Sequence, residues 1–560
     1  MNLKMSNSYD LIVIGAGWYG LSAAKTYIEL HQDEKVLVVE AENSCGGTWS
    51  KDRLYPGLKS NNLWGSYEYA DFPMLEDVYG VKDGQHVPGD VLHRYLTDFS
   101  RKFGVFERTK FNTKVDSIKA IEAESWEILV SETSGGAQQV LQTKKLIVAT
   151  GLTSQPNMPS YPGQESFTPL LFHAKDFCTQ AHTVNDCKKT IVVGGGKSAF
   201  DCAYAFASKG DAQVDLIIRP TGQGPVWLCP PYVTPWKRMM EELLNTRMLT
   251  WFSPCPWGGE DGFSMPRSLL HGTAVGRFLV QNFWNILSSA VIQDHGYDEH
   301  PELFKLKPWQ NAFWTGSGIG IHNYPTSFFD LVKDGKIRVH IADITRLDGT
   351  TVYLTNGEAI ETEAVICATG WKKESSIKFL NFSTDLSASP TEREHLSNQA
   401  DKEIRDTFPG LKAQPVLRYE PKKEEPLRNY RFIVPSGAVF NRNIAFAGMV
   451  STTSTSMFAT TQALWISAFF DGKLKRSPKS TDDVTKEIML HSQFGKWRYP
   501  CGYGASLPDF AFDSLPYVDQ LLNDLGLSSH RKKTAMMELV EPYKPKDYKG
   551  LSQEWSSLQL

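Results

Sequence analysis

Residues 9–40 read YDLIVIGAGWYGLSAAKTYIELHQDEKVLVVE and hold a glycine-rich turn between two short apolar runs. The runs at residues 11–14 and 36–39 are predicted to be buried strands, and residues 21–30 have the spacing of a helix. Three glycines follow the first strand in the pattern G-x-G-x-x-G, and they are Gly15, Gly17 and Gly20. The pattern predicts the strand–turn–helix–strand unit of a doubly wound α/β domain.

Each glycine of this turn has a physical role. The first permits a tight turn, the second lets a pyrophosphate approach the backbone, and the third lets the helix lie against the sheet. The free N–H groups at the start of the helix favour a phosphate. Glu40 ends the second strand, and its carboxylate can accept hydrogen bonds from a ribose diol. We predict that these four residues bind a dinucleotide; the alternative is a glycine-rich turn in another kind of α/β domain.

Composition limits the classes of function. A chain of 560 residues is long enough for two or three domains. The formal net charge of -4, without any block of basic residues, argues against a nucleic-acid partner. Eight cysteines without a C-x-x-C pair argue against a metal site and a disulfide framework, so we expect a reducing, cytoplasmic compartment. The first strand begins near Tyr9, which leaves no room for a signal peptide, and no apolar run is long enough to predict a transmembrane span.

Three short motifs follow the second strand: CGGTW at residues 45–49, YPGLKSNN at residues 55–62 and DFP at residues 71–73. In this order they resemble the flavin-containing monooxygenases, a family that uses FAD and NADPH. The resemblance implies that Asn61 lies at the reactive edge of the flavin, where its amide would hydrogen-bond the flavin or the nicotinamide. The alternative is that Asn61 only forms part of a turn. The family's other FAD-binding residues fall on Gly47, Thr48, Trp49, Val115 and Gln462.

Two related flavoprotein groups begin with the same fold. The Baeyer–Villiger monooxygenases share the motifs but generally have Asp rather than Asn near position 61. The disulfide reductases need a second cysteine soon after the first, whereas the next cysteine after Cys45 is Cys178. The sequence therefore favours the flavin-containing monooxygenases over the Baeyer–Villiger enzymes and argues against dithiol chemistry.

A second nucleotide unit follows. Residues 167–177, FTPLLFHAKDF, resemble the family fingerprint F-x-G-x-x-x-H-x-x-x-[FYW], although Pro169 replaces the glycine. In this fingerprint His173 is expected to orient the two domains or to contact NADPH. The apolar run at residues 190–193 then leads into a second glycine turn. Its G-x-G-x-x-A pattern consists of Gly194, Gly196 and Ala199.

The two units end differently. The strand predicted at residues 214–218 is followed by Arg219, whereas the corresponding strand of the first unit is followed by Glu40. An acid favours an unmodified ribose, and a guanidinium favours a 2′-phosphate. We therefore assign FAD to the first unit and NADPH to the second; the alternative is that Arg219 is a solvated surface charge. The other residues expected at the NADPH site are Lys197, Ser198 and Thr221.

The order of the motifs implies a fold of two doubly wound Rossmann-like domains, the NADPH domain inserted into the FAD domain. The predicted limits are 1–163 and 336–471 for the FAD-binding domain, 164–335 for the NADPH-binding domain, and 472–560 for a tail with a surface arm after Leu539. Within the NADPH domain, residues 225–329 form an insertion that holds seven of the fifteen tryptophans and predicts the wall of an apolar pocket. A helix is predicted at residues 276–292, and its apolar spacing favours an internal helix over a membrane-surface helix. The apolar positions of this helix are Leu279, Phe283, Ile286, Leu287 and Ala290.

The resemblance covers about residues 9–470 and is strongest to the fungal type, which implies a role in secondary metabolism. It implies that NADPH reduces FAD, that O₂ adds at the flavin C4a carbon, and that this hydroperoxide transfers one oxygen atom. The acceptor would be an amine or sulfur of a small, largely apolar molecule. Two alternatives remain: Baeyer–Villiger oxidation of a ketone, and an oxidase or dehydrogenase without oxygen transfer. The substrate, peripheral membrane attachment and the oligomeric state, including a homodimer, stay open.

Overall fold

The computed structural model describes residues 8–121, 125–209, 212–233, 238–373, 375–383, 388–419 and 426–559. Trp236 of the predicted tryptophan-rich insertion lies outside these ranges. Two sheets made mainly of parallel strands form the framework, with helices packed on them. The longer helices are Trp18–Leu30, Gly89–Lys102, Lys197–Lys209, Ser264–Gly272, Ala274–Asp294, Pro390–Thr407, Thr455–Phe470, Thr481–Arg498 and Ser514–Leu525.

The first sheet contains the first glycine turn. Its strands run in the order Lys378–Leu380, Thr113–Ile121, Ser125–Glu132, Gln139–Val148, Ser8–Ile14, Val36–Val39 and Thr109–Lys110. The strand Ile444–Phe446 pairs in parallel with the end of Gln139–Val148. The strands predicted at residues 11–14 and 36–39 are confirmed.

The second sheet has five parallel strands. They run in the order Ile337–Ile341, Gln213–Ile218, Lys189–Val193, Ala364–Cys367 and Leu170–His173. The chain forms most strands of the first sheet, then all five strands of the second sheet. It then returns to the first sheet and adds the strands Lys378–Leu380 and Ile444–Phe446. The fold class is therefore confirmed: two doubly wound units are present, and the second is inserted into the first.

The predicted return to the FAD domain at residue 336 is too early. Ile337 pairs with Val214, and Ala364 pairs with Thr190, so both of these later strands belong to the second sheet. The physical reason is that the first strand of a doubly wound unit needs parallel neighbours on both sides. Here one neighbour, Ala364–Cys367, comes from beyond the insertion, and local sequence pattern does not reveal such a distant pairing.

The insertion is mostly helical. Its strand Trp227–Cys229 pairs with Ile319–Ile321, so the insertion leaves and re-enters at one place. The predicted helix is confirmed as Ala274–Asp294, but the apolar positions proposed for its inner face are wrong in part. Leu279 is 50% exposed and Ile286 is 71% exposed. The buried residues of this helix are Gly276, Val280, Trp284, Ser288 and Val291.

The C-terminal tail is part of the packed structure. Every residue of the helix Ser514–Leu525 except Asn523 is buried. The fully buried Arg247 of the insertion donates hydrogen bonds to Asp519 and, over 2.7 Å, to Glu538 of the tail. The predicted surface arm is therefore anchored, since Tyr548 within it is also fully buried. Among the described helices, none combines the length and the apolar character that crossing a membrane requires.

Candidate active site

The first glycine turn has the geometry that its residues predict. Gly15 has φ of +104°, and a Cβ there would lie 2.5 Å from the carbonyl oxygen of Ala149. A Cβ on Gly20 would lie 1.9 Å from the carbonyl oxygen of Gly15. The helix Trp18–Leu30 can begin directly after the turn only because position 20 has no side chain.

The second glycine of this turn faces the CGGTW motif. A Cβ on Gly17 would lie 3.6 Å from the Cα of Gly47, and the Gly46 N–H donates to the carbonyl oxygen of Ala16 over 2.9 Å. The first turn of the helix Trp18–Leu30 carries no acidic side chain. Two backbone segments without side chains and an unopposed helix N-terminus thus fit the pyrophosphate of a dinucleotide.

Glu40 lies directly after the strand Val36–Val39, where the sequence predicts it. It is 7% exposed, and its two carboxylate oxygens accept hydrogen bonds from the N–H groups of Ala16 at 2.6 Å and Glu42 at 2.9 Å. Burial raises the pKa of Glu40, and the backbone N–H groups oppose that shift. Each carboxylate oxygen can accept a further hydrogen bond, so the residue fits a ribose diol.

Three other predicted FAD-binding residues differ in how far their side chains are exposed. Trp49 is 8% exposed and donates from Nε1 to the Tyr67 hydroxyl over 3.1 Å. Thr48 is exposed, and its Oγ1 lies 3.1 Å from that of Thr153. Val115 is buried in the strand Thr113–Ile121. Thr48 is thus the exposed side chain of the three.

Gln462 lies fully buried on the helix Thr455–Phe470. Its Oε1 accepts a hydrogen bond from Gly448 N–H over 3.0 Å, and its Nε2 donates to the Tyr517 hydroxyl over 3.1 Å. Both ends of the amide are therefore engaged inside the protein. Gln462 fixes the loop at Gly448, and any effect on a flavin would be transmitted through that loop.

The second glycine turn repeats the construction of the first. Gly194 has φ of +146°, and a Cβ there would lie 2.4 Å from the carbonyl oxygen of Ala368. Ala368 begins an Ala-Thr-Gly motif at residues 368–370, and Ala149 begins the same motif at residues 149–151. The helix Lys197–Lys209 starts at the same distance after its first glycine. The exposed side chains at this site are Ser198, Arg219 and Thr221, and Arg219 lies directly after the strand Gln213–Ile218.

Lys197 differs from its prediction. Its Nζ donates to Asp201, to Asn323 Oδ1 over 2.8 Å and to the Tyr324 hydroxyl over 3.1 Å. The ammonium also lies 4.3 Å from the centroid of the Tyr324 ring. The amine is therefore occupied at the junction with the insertion, which disagrees with a place at the pyrophosphate.

His173 ends the strand Leu170–His173 and is 3% exposed. Its Nε2 donates to the carbonyl oxygen of Gly370 over 3.0 Å, and its Nδ1 accepts from Lys175 N–H over 3.0 Å. Burial lowers its pKa. Both ring nitrogens are engaged, so this neutral side chain ties the end of the strand Leu170–His173 to the loop at Gly370 and has no free nitrogen for NADPH.

Asn61 lies exposed on the strand Lys59–Leu63, at the wall of a cavity of about 130 Å³. The insertion supplies much of the opposite wall, but none of its described tryptophans, on which the predicted apolar pocket rested, lines the cavity. Its contribution consists of Pro231, Met240, Glu241, Leu244, Ser317, Ile319 and Ile321. The cavity thus joins the predicted catalytic amide to an apolar surface from the second domain.

Most polar residues of this cavity were not predicted from the sequence, among them His86, Glu241 and Thr453. His86 Nδ1 and Thr453 Oγ1 are buried without a hydrogen-bond partner among the described residues. Burial lowers the pKa of His86 to about 4, so the ring is neutral at pH 7. No motif surrounds these residues, and only the folded chain brings them to Asn61.

The chain matches the family model described as pyridine nucleotide-disulphide oxidoreductase over residues 12–248. This region contains both glycine turns. All eight cysteines are free, and Cys45 is buried with its Sγ 3.6 Å from the Ser100 hydroxyl. The match therefore reflects nucleotide-binding architecture, and the cysteines do not form the redox pair that disulfide chemistry needs.

Two fungal relatives match almost the whole chain. An FAD-dependent monooxygenase of Pyrenophora dematioidea is 34% identical over 95% of this chain and 100% of its own. The FAD-dependent monooxygenase resA of Aspergillus sclerotiorum is 33% identical over 98% of both chains. A crystal structure of cyclohexanone monooxygenase has a TM-score of 0.62 and 17% identity over 93% of this chain and 98% of its own, which shows a shared fold. This chain belongs to the family of FAD-dependent monooxygenases.

Proposed function

We propose that this enzyme uses NADPH to reduce its FAD and transfers one oxygen atom of O₂ to the nitrogen or sulfur of a small, largely apolar molecule. The observation that carries the proposal is the cavity beside Asn61. An apolar wall with a few convergent polar groups is the usual form of a small-molecule site. Here that wall lies against the residue that the family resemblance puts at the flavin.

The assignment of NADPH to the second unit rests on the contrast between Glu40 and Arg219. A carboxylate suits the ribose of FAD, and an exposed guanidinium suits the 2′-phosphate of NADPH. When bound, the reduced flavin supplies the electrons and the oxygen activation. The side-chain amide of Asn61 makes no hydrogen bond with the described residues, so it is available to a cofactor in the cavity.

The protein's own contribution is a site that keeps water out. Leu63, Met240 and Leu244 are each less than a tenth exposed, and all three line the cavity. Such a wall slows the wasteful loss of activated oxygen to water. His86 Nδ1 and Thr453 Oγ1 offer hydrogen bonds that would orient a polar group of the substrate.

Glu241 favours a nitrogen or sulfur acceptor over a ketone. Its carboxylate lines the same cavity as Asn61. Baeyer–Villiger oxidation needs an anionic oxidant, and a neighbouring carboxylate raises the free energy of a second negative charge. Transfer to an amine or sulfur proceeds through a neutral oxidant, which this charge does not oppose.

The first experiment needs no knowledge of the substrate. The FAD-loaded enzyme is reduced anaerobically with NADPH, mixed with O₂, and followed by flavin absorbance and peroxide release. We expect reduction by NADPH, then a persistent flavin spectrum that is neither oxidised nor reduced. Immediate return of oxidised flavin with matching hydrogen peroxide would favour an oxidase. Failure of NADPH to reduce the flavin would contradict the assignment of the second unit.

The oxygen acceptor is tested next by product analysis. Panels of amines, thioethers and ketones are supplied under the same conditions, and the products are separated by mass. We expect N-oxides, hydroxylamines or sulfoxides. Esters or lactones from the ketones, without products from the other two panels, would replace the proposal with Baeyer–Villiger oxidation.

A further inference from the structure

The strand that carries Asn61 is held at both ends by side chains of the insertion. Asn323 contacts the beginning of the strand Lys59–Leu63, and Glu241 contacts its end. Between these two contacts Asn61 is exposed to the cavity. The insertion therefore supplies part of the cavity wall and also fixes the backbone of the predicted catalytic residue.

Glu241 makes three hydrogen bonds around the end of this strand. Its oxygens accept from Asn62 Nδ2 at 2.7 Å, from Leu63 N–H at 3.1 Å and from the Ser66 hydroxyl at 2.6 Å. The Asn62 amide also donates to the carbonyl oxygen of Thr453 over 3.0 Å, so the residue after Asn61 is fixed on two sides. Among the described residues, no cation lies within ion-pair distance of Glu241, and its neighbour Glu242 pairs with Lys544 instead.

These contacts need a carboxylate. A glutamine at position 241 would turn one NH₂ group toward groups that are themselves donors, so it could not accept all three hydrogen bonds. Burial raises the pKa of Glu241, and the three donors oppose that shift. The net shift is upward, but because all three contacts are donors to the side chain, their geometry suits the ionised carboxylate that holds the strand.

Asn323 connects the other end of the strand to the second nucleotide unit. It is 8% exposed, and its Nδ2 donates to the carbonyl oxygens of Ser60 at 3.1 Å and Lys59 at 3.4 Å. Its Oδ1 accepts from Lys197 Nζ over 2.8 Å. Lys197 begins the helix that follows the second glycine turn, so two hydrogen bonds join that turn to the strand of Asn61.

We propose that Glu241 and Asn323 are positioning residues that hold Asn61 where the flavin reacts. This inference rests on the proposed function, since it assumes that Asn61 acts at the flavin. It adds a second task for the insertion, whose only assigned role is to shape the substrate cavity. A misplacement of about 1 Å is enough to cost a reaction roughly a hundredfold, so a loosened strand should be visible in the kinetics.

The test compares E241Q with the wild-type enzyme in two steps. The FAD-loaded proteins are first reduced anaerobically by NADPH, and O₂ is then added without substrate while peroxide release is followed. We expect the anaerobic reduction rate to change less than about twofold and peroxide release to accelerate at least about tenfold. Unequal effects on the two steps separate a positioning role from a general loss of folding.

A matched control comes from the same helix. E242Q makes the same charge change one residue away, where the side chain pairs with Lys544 and does not contact the strand of Asn61. We expect wild-type rates in both steps. N323L should resemble E241Q, because it removes the hydrogen bonds at the other end of the strand. FAD content and the melting temperature of each variant establish that it is folded.

The decisive comparison is a double-mutant cycle with N61A. If Glu241 acts through Asn61, E241Q accelerates peroxide release in the wild-type background and adds nothing in the N61A background. Additive effects, or an E241Q enzyme with wild-type peroxide release, would overturn the inference while leaving the proposed function intact. An N61A enzyme that releases peroxide like the wild type would contradict the role of Asn61 itself, and the inference would fall with it.

Discussion

The two glycine turns of this molecule have nearly the same backbone and opposite charges at their ends. A Cβ on Gly15 would lie 2.5 Å from Ala149 O, and a Cβ on Gly194 would lie 2.4 Å from Ala368 O. The N–H of Ala149 donates to Ile14 and that of Ala368 to Val193, each over 2.8 Å. The backbone therefore repeats one turn geometry, which we expect to suit a pyrophosphate in both units. We propose that the side chains that follow, Glu40 and Arg219, select between the two nucleotides.

Those side chains also differ in their surroundings. Glu40 is 7% exposed and already bound by two backbone N–H groups, whereas Arg219 is exposed to solvent. The third turn position differs as well, since the first unit has Gly20 and the second has the fully buried Ala199. The first site is thus built into the fold, while the second displays its charge at the surface. This is the arrangement expected for a retained FAD and an exchanging NADPH.

The largest effect is expected from a substitution of Gly20, the third residue of the first G-x-G-x-x-G pattern, whose equivalent in the second unit is Ala199. G20A puts a methyl group 1.9 Å from Gly15 O, where the obstacle is backbone and cannot rotate away. We expect a loss of about 3 kcal/mol, or roughly a hundredfold in FAD affinity. The measurement is the flavin-to-protein absorbance ratio of the purified variant, followed by titration with FAD.

The control for this variant is A199G in the second turn. Removing a methyl group there should cost about 1 kcal/mol of stability and leave the turn able to bind NADPH. If G20A bound as much FAD as the wild type, the helix Trp18–Leu30 would tolerate a methyl group at its third turn position just as the helix Lys197–Lys209 does. This result would remove the structural contrast between the two turns.

A smaller effect is expected from R219A. Because Arg219 is exposed, we expect a loss of about 2 kcal/mol, or roughly thirtyfold in NADPH affinity, rather than the 5 kcal/mol or so of a desolvated pair. The use of NADH should not change, since it has no 2′-phosphate. The measurement is the concentration dependence of anaerobic flavin reduction with each nucleotide.

The control is R338A, which removes an exposed arginine from the adjacent strand Ile337–Ile341. A general loss of positive charge would weaken NADPH binding in both variants and would shrink in high salt. Equal losses for NADPH and NADH in R219A would contradict the assignment of Arg219 to the 2′-phosphate.

The features that could be predicted from the sequence are those that depend on consecutive residues. Both glycine turns, their flanking strands and the terminal residues Glu40 and Arg219 are placed correctly, because a strand–turn–helix unit is fixed by local backbone geometry. Asn61 was placed at the flavin by resemblance, and the structure shows it at a cavity. Its catalytic role stays a prediction.

The features that could not be predicted depend on distant partners. Glu241 meets Asn62 across 179 residues, and no pattern near Glu241 marks it. The strand Ala364–Cys367 was assigned to the wrong sheet for the same reason. The helix Ala274–Asp294 is apolar on more than one side, so the elements packed against it, and not its own period, decide that Val280 is buried and Ile286 is exposed.

The smallest expected effect concerns a charge pair found in the second sheet. His340 Nε2 lies 2.7 Å from Asp215, and its Nδ1 lies 2.6 Å from Glu358. Burial lowers the pKa of His340, but the two carboxylates outweigh it and the net shift is upward. The stabilisation is therefore complete below the pKa of an unfolded histidine, about 6.5, and is lost as the pH rises through the raised pKa of the folded state.

H340Q should lower the free energy of unfolding by about 1 kcal/mol at about pH 6, because solvent screens the half-exposed Glu358 and a glutamine can still hydrogen-bond Asp215, and by less at about pH 9. Denaturant unfolding at both pH values measures the difference, and H395Q on the exposed side of the helix Pro390–Thr407 is the control. A loss that grows with pH would mean that His340 is neutral in the folded state. The link between the strands Gln213–Ile218 and Ile337–Ile341 would then be a plain hydrogen bond.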